Sequence, residues 1–265
     1  MSYFTRQQQL KDFKQDRLSD KTILVLGVGG IGTNIAIGLC RLGVRRIILV
    51  DKDIVEDHNL NRQHLYNVKD IGKKKVEAAA NALALTHSLV TQVDTFHLDA
   101  LVHWHKIVEL ARASHCVFNT IDHGDKWDYA VGALCVALRI PVFLGGTEPW
   151  YGHLISTFAQ VPDGPCYSCM HDFSHPPLDT KKILEYTDIS FLPADPQPDA
   201  GGSTTYSASM CAQMILAQYG TWLMKQDGHV LKHCTIARLI NMEMDTFVCE
   251  KKQGCTVCSY YAQLK

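Results

Sequence analysis

The chain has 265 residues, 46% hydrophobic and 20% charged, with a formal net charge of -1. That balance excludes a disordered or fibrous chain and gives no electrostatic drive toward nucleic acid or an anionic membrane. No stretch approaches the roughly 20 apolar residues that span a bilayer, and the polar first 21 residues lack the apolar region of a signal peptide, so a cytoplasmic protein is expected. In that reducing setting ten cysteines do not read as a disulfide framework.

Residues 4–17 read as a polar helix with Phe4, Leu10 and Phe13 as its few apolar anchors. Thr22–Gly27 is apolar and β-branched and reads as a buried parallel strand. A helix follows over Gly30–Leu42, then a second strand, Arg46–Asp51, ending on a carboxylate. The pattern continues with a helix at Lys73–Leu85, a strand at Val90–Leu98, a helix at Val102–Arg112 and a strand at His115–Asn119. A helix at Trp127–Leu138 and a strand at Pro141–Leu144 complete it. Strands alternating with helices predict an α/β fold with a doubly wound, mostly parallel Rossmann-like sheet.

Beyond Glu148 the pattern changes. Tyr151–Val161 reads as extended, residues 172–202 hold five prolines and read as a long mobile loop, and Ser203–Lys225 is a mostly apolar helix. Residues 231–249 read as an antiparallel strand pair. The whole is expected to be one domain: an N-terminal helical arm over 1–20, a nucleotide-binding part over 21–150 and a substrate-side part over 151–265.

Gly27-Val-Gly29-Gly30-Ile-Gly32 lies between a strand and a helix, with Asp51 ending the next strand. Glycines there permit a tight turn and close approach of the backbone, the helix N-terminus favours phosphate, and the carboxylate suits ribose hydroxyls. The motif alone fits NAD as readily as ATP. Asn59, Arg62, Gln63 and Lys75 follow, an amide, a guanidinium and an ammonium close after the ribose carboxylate. Such cations suit adenylyl transfer, in which negative charge builds on the α-phosphate and on departing pyrophosphate. Asp122, just after a strand, lies where such sheets bind ligands and is a candidate magnesium ligand.

Cys166-Tyr-Ser-Cys169 and Cys255-Thr-Val-Cys258 are two CxxC pairs with 85 residues between them. Two thiolates on each of two tight turns make a tetrahedral zinc site; a redox CxxC is the competing reading. Gly145, Gly146 and Gly152, with Thr147-Glu148-Pro149-Trp150, either line an entrance for an extended substrate tail or form a simple glycine turn.

The order GVGGIG, DKDIVEDHNLNRQ, DIGKKK and an aspartate after the next strand resembles the ubiquitin-activating-enzyme superfamily. Within it the chain is most similar to the small ThiF-like adenylyltransferases of molybdopterin and thiamine sulfur carriers. The resemblance implies ATP and magnesium as cofactors and a homodimer as the active form. The substrate would be the C-terminal glycine carboxylate of a small ubiquitin-like or sulfur-carrier protein. It further implies that Asp51 binds ribose, that Asn59 and Arg62 contact phosphates with Gln63 beside them, and that Lys75 neutralises leaving pyrophosphate. Asp122 would hold magnesium, the four cysteines a structural zinc far from the chemistry, and Arg6 would reach the phosphates of the partner subunit. Two departures are visible: His123 stands where the family has asparagine, and Pro198 where thioester-forming relatives have cysteine. The second favours an enzyme that stops at the acyl-adenylate. A peptide-modifying adenylyltransferase and a catalytically silent scaffold remain as alternatives.

Overall fold

The computed structural model describes residues 3–86, 89–148, 154–171, 173, 176–195, 203–224 and 231–262. Trp150, Gly152, Pro198 and the run 199–202 lie outside them.

Eight strands form one sheet: β1 (Thr22–Leu26), β2 (Arg46–Val50), β3 (Gln92–Phe96), β4 (Cys116–Asn119), β5 (Val142–Glu148), β6 (Leu154–Gln160), β7 (Cys234–Arg238) and β8 (Glu243–Phe247). Their spatial order is β3-β2-β1-β4-β5-β6-β7-β8. The first five are mutually parallel, and β6, β7 and β8 each run antiparallel to the strand before. The α/β sheet with an antiparallel C-terminal extension is thus present.

The helices are α1 (Thr5–Gln8), α2 (Asp16–Ser19), α3 (Gly30–Leu42), α4 (Lys75–Thr86), α5 (Trp104–Arg112), α6 (Asp125–Leu138), α7 (Tyr167–Met170), α8 (Thr205–Met224) and α9 (Thr256–Ala262). Alternation along the parallel strands explains the layering. Ile23, Val25, Ile47, Leu49, Phe118 and Phe143 face the layer of α3, α4 and α8. Leu24, Leu26, Ile48, Val50, Val117 and Leu144 face that of α5, α6 and α7. Both faces are covered, so the strands read as continuous apolar runs. Among the described residues no helix is long and apolar enough to cross a membrane.

Two expectations differ from what is seen. The N-terminal arm is not one helix but two single turns, separated by a stretch in which Asp12 takes a left-handed φ of 65°. Three apolar anchors cannot hold a four-turn helix, and such a helix is marginal in water. The stretch 176–195, expected within a mobile loop, is pinned to the α5–α6 layer. Leu178, Ile183, Ile189 and Leu192 are buried there, and Trp104 Nε1 donates to the Ile183 carbonyl at 2.9 Å. Its spaced apolar residues fit no regular period, which hides their burial from a periodicity reading.

Candidate active site

The glycine turn is tied down from behind. Gly27 has a φ of +88°, and a Cβ there would lie 2.9 Å from the Thr120 carbonyl group. A Cβ on Gly32 would sit 2.1 Å from the Gly27 carbonyl oxygen. Both positions therefore require glycine, the first for conformation and the second for strand–helix closeness. The Val28 amide donates to Asp51 Oδ2 at 2.7 Å, and the Val28 carbonyl accepts from the buried Tyr66 hydroxyl at 2.7 Å. Thr120 Oγ1 lies 3.0 Å from the Gly27 carbonyl. These inward bonds leave the first-turn amides of α3 aimed outward, where a helix N-terminus receives anions.

Outside the C-terminal ends of β1 to β5 lies a cavity of about 670 Å³, within the usual range for small-molecule sites. It sits where the strand order reverses between β1 and β4. Gly27, Gly29, Gly30, Asp51, Arg62, Gln63, Lys75 and Asp122 all line it, as do Gly145, Gly146 and Thr147. Asp51 is buried, and its Oδ1 accepts the Asp53 amide at 2.8 Å; desolvation pushes its carboxyl up, against the pull of Lys75 and the two amides. Lys75, also buried, pairs with Asp53 at 2.9 Å. Arg62 donates to the His58 carbonyl at 3.0 Å and to Asn61 at 2.8 Å. Gln63 is 3% exposed, and among the described residues its Oε1 has no hydrogen-bond partner. A buried acceptor left open beside a cavity is what a ligand donor would satisfy.

Three expected site residues stand apart from the cavity lining. Gly32 lies behind the turn in its packing role. Asn59 is buried, and its Oδ1 caps a short turn by accepting the Glu56 amide at 3.0 Å. Arg6 is exposed on an arm docked at the other end of α3: Gln7 and Gln15 both donate to the Leu42 carbonyl. With 13 residues in α3, this puts the arm about 20 Å from the glycine turn of its own chain.

The opposite wall is acidic, and the sequence reading did not single it out. Asp122, Asp125, Asp128 and Asp195 line the cavity together. Asp128 Oδ1 accepts from Asn119 Nδ2 at 2.6 Å, and Asn119 Oδ1 accepts from Trp127 Nε1 at 2.8 Å. Burial, with Asp125 and Asp122 nearby, pushes the Asp128 carboxyl up to about 8. Asp195 Oδ2 accepts the Asp125 amide at 2.7 Å, at the start of α6. His123 Nε2 meets the Leu192 carbonyl at 3.1 Å, so the departure at this position ties the wall to the 176–195 segment. Asp125 and Asp128, three apart at the start of α6, share a helix face, and that spacing close after Asp122 was the available signal.

The four cysteines of the CxxC pairs meet on the α6 side of the sheet. Their sulfurs all lie within 4.8 Å of one another, at 3.8 Å for Cys166–Cys169 and 3.6 Å for Cys166–Cys255 and Cys169–Cys258. A zinc tetrahedron with Zn–S of about 2.3 Å has edges of about 3.8 Å. The spacing fits that ion, and the sulfurs are too far apart for a disulfide. Cys211, beneath Gly146, is buried with its thiol pushed up to about 12 by desolvation, which keeps it un-nucleophilic.

A glycine turn at a topological switch point, with a buried aspartate and two cations beside it, opens this cavity at the place where α/β sheets bind ligands. The chain belongs to the ThiF family, whose model matches residues 4–257. Molybdopterin-synthase adenylyltransferase of Escherichia coli is 31% identical over 179 residues, which cover 64% of this chain and 68% of that protein. SAMP-activating enzyme E1 of Haloferax volcanii is 32% identical over 158 residues, 59% of this chain and 55% of that protein. Against adenylyltransferase and sulfurtransferase MOCS3-1 of Zea mays the identity is 33% over 66% of this chain, but only 36% of that protein is spanned. The chain thus spans between about a third and a little over half of several such relatives. The crystal structure of E. coli MccB with ATP shares the fold, with a TM-score of 0.74 over 92% of this chain and 69% of that one, at 22% identity.

Proposed function

We propose that the chain is an ATP- and magnesium-dependent adenylyltransferase that activates the C-terminal glycine carboxylate of a small ubiquitin-like or sulfur-carrier protein. The observation that carries this reading is the meeting of glycine turn, Arg62, Lys75 and Asp122 around one cavity. Its family relatives named as adenylyltransferases and as a SAMP-activating E1 support the same class.

In this reading the phosphates of ATP rest on the first-turn amides of α3 and the ribose on Asp51, with Gln63 Oε1 open to a ligand donor. The substrate carboxylate, already ionised at neutral pH, attacks the α-phosphorus. A carboxyl–phosphate bond forms, the bond to pyrophosphate breaks, and no general base is needed. Arg62 stabilises charge at the α-phosphate. Lys75 exchanges Asp53, which is half exposed, for the departing pyrophosphate. The oxygen donors of Asp122 suit magnesium, which supplies charge neutralisation on the phosphate oxygens when bound. Gly145 and Gly146 let an extended substrate tail lie against the end of β5. Four thiolates of the knuckle would hold zinc. Because Arg6 stands about 20 Å from its own cavity, its contribution falls to a second copy, which makes the working form a two-fold homodimer.

ATP–pyrophosphate exchange with carrier proteins ending in Gly-Gly tests this. Exchange that depends on the carrier's terminal carboxylate is expected. Exchange driven only by short peptides would move the reading to peptide adenylation, and none with either substrate would refute it.

A further inference from the structure

The knuckle is expected to be remote from the chemistry, yet one of its own residues reaches the cavity wall. Tyr167 lies inside the first CxxC pair and is 2% exposed. Its amide donates to Gln160 Oε1 at 2.8 Å, and Gln160 Nε2 donates to the Gly132 carbonyl of α6 at 2.8 Å. A Cβ on Gly132 would lie 3.0 Å from Tyr167 Cβ, so α6 packs directly on the knuckle. The ring is stacked on His171 at 4.2 Å between centroids and meets Phe158 edge-on at 5.9 Å. A ring wedged this way has one position for its hydroxyl.

That hydroxyl sits between two carboxyl groups of the acidic wall, 2.9 Å from Asp125 Oδ1 and 3.5 Å from Asp128 Oδ2. Asp128 is held on its other oxygen by Asn119, and the Asp125 backbone is held by Asp195. Of the groups that fix the Asp125 side chain, Tyr167 is the one contributed by the knuckle. We propose that Tyr167 is a positioning residue through which the four-cysteine knuckle sets the orientation of Asp125 and Asp128 toward the nucleotide and its divalent cation. The knuckle then serves the site as well as the fold. A phenol O–H that donates to Asp125 keeps that side chain from swinging into solvent and holds it beside Asp128, as a hydrogen bond to a carboxyl group does.

This inference rests on the nucleotide reading of the cavity, and its test separates the two. Tyr167→Phe keeps the ring and its packing and removes only the hydroxyl. Zinc content should stay at the wild-type level, while the magnesium concentration that half-saturates ATP binding, read by titration calorimetry, should rise about five- to tenfold. ATP binding without magnesium should be unchanged, a split that a merely structural role would not produce. A second measurement needs no Tyr167 variant. By reciprocity of coupled sites, magnesium–ATP should raise the zinc affinity of wild type several-fold, read by equilibrium competition with a chromogenic chelator, and Asp125→Asn should abolish most of that protection. If wild type fails to bind magnesium–ATP, the adenylation reading falls and this one with it. Where wild type binds, superimposable magnesium titrations for Tyr167→Phe, or equal protection in Asp125→Asn, overturn the role of Tyr167 alone.

Discussion

One wall of the cavity comes from a single run of chain, residues 27–75, and the acidic one from residues 119–128 and Asp195, braced from behind by Tyr167. The first carries the cations Arg62 and Lys75 and is finished locally. Its aspartate is held by two nearby amides and its lysine by Asp53. The second is acidic, and Asp125 on it is held by partners far along the chain, its side chain by Tyr167 and its backbone by Asp195. The difference teaches that cations can be held in place by their own stretch of chain, whereas an acidic wall, with its self-repulsion, needs support from the rest of the fold.

The strongest way to break this comparison is to remove one group from each wall. Arg62→Ala and Asp122→Ala should each lower pyrophosphate exchange by about two orders of magnitude, on the order of 3 kcal/mol, with little change in thermal stability. Lys75→Ala should match that loss and also destabilise the fold by about 1–3 kcal/mol, because it strips buried Asp51 of its counter-charge. Equal exchange in Asp122→Ala and wild type would show the acidic wall to be a bystander.

Cys255→Ser probes the remote support. Zinc stoichiometry should fall, and stability should drop by more than about 2 kcal/mol, with a metal assay and thermal melts as the measurements. A metal-free protein of unchanged stability would remove the knuckle from the account. For the arm, Arg6→Ala should cost roughly tenfold in exchange. The decisive sample is a purified heterodimer of wild type with the Arg6→Ala/Asp122→Ala chain. Action across the dimer damages both of its sites, so activity should fall well below half; half the wild-type rate would mean that Arg6 acts within its own chain.

The smallest effect sharpens the contrast in protonation. Asp128 titrates near 8 in the folded protein instead of near its usual 3.8, so the folded state holds this proton more tightly than the unfolded chain. The stability it contributes is full below about pH 4 and is lost as pH rises toward 8. Asp128→Asn cannot lose a proton. Its melting temperature should therefore fall less between about pH 5 and about pH 8.5 than that of wild type. Parallel profiles would count against the buried carboxylic acid.

The same split governs what could be read from residues alone. The helix over Gly30–Leu42 matches its expected bounds, because strand, glycine turn and amphipathic spacing agree over one short window. The CxxC pairs were equally plain. Asp128 was not, since an aspartate one turn into a helix looks like an ordinary solvated residue until Asn119 and Tyr167 surround it. Tyr167 likewise reads as filler between two cysteines. Asn59 went the other way: its side chain is engaged in a local cap, which no motif distinguishes from a ligand contact.

The distance in sequence between the two halves of the knuckle has a consequence for biosynthesis. Cys166 and Cys169 pair with Cys255 and Cys258, each 89 residues later. At a ribosomal pace of about 5–20 residues per second, the first pair waits roughly 4 to 18 seconds for the second. During that interval the nascent chain displays a bare dithiol, open to oxidants and to softer metals, and the acidic wall lacks its final brace. The wall of residues 27–75 waits as well, since the core layer behind it is completed by α8, which follows Cys169 in the chain. Both walls therefore reach their final form only once most of the chain has been made.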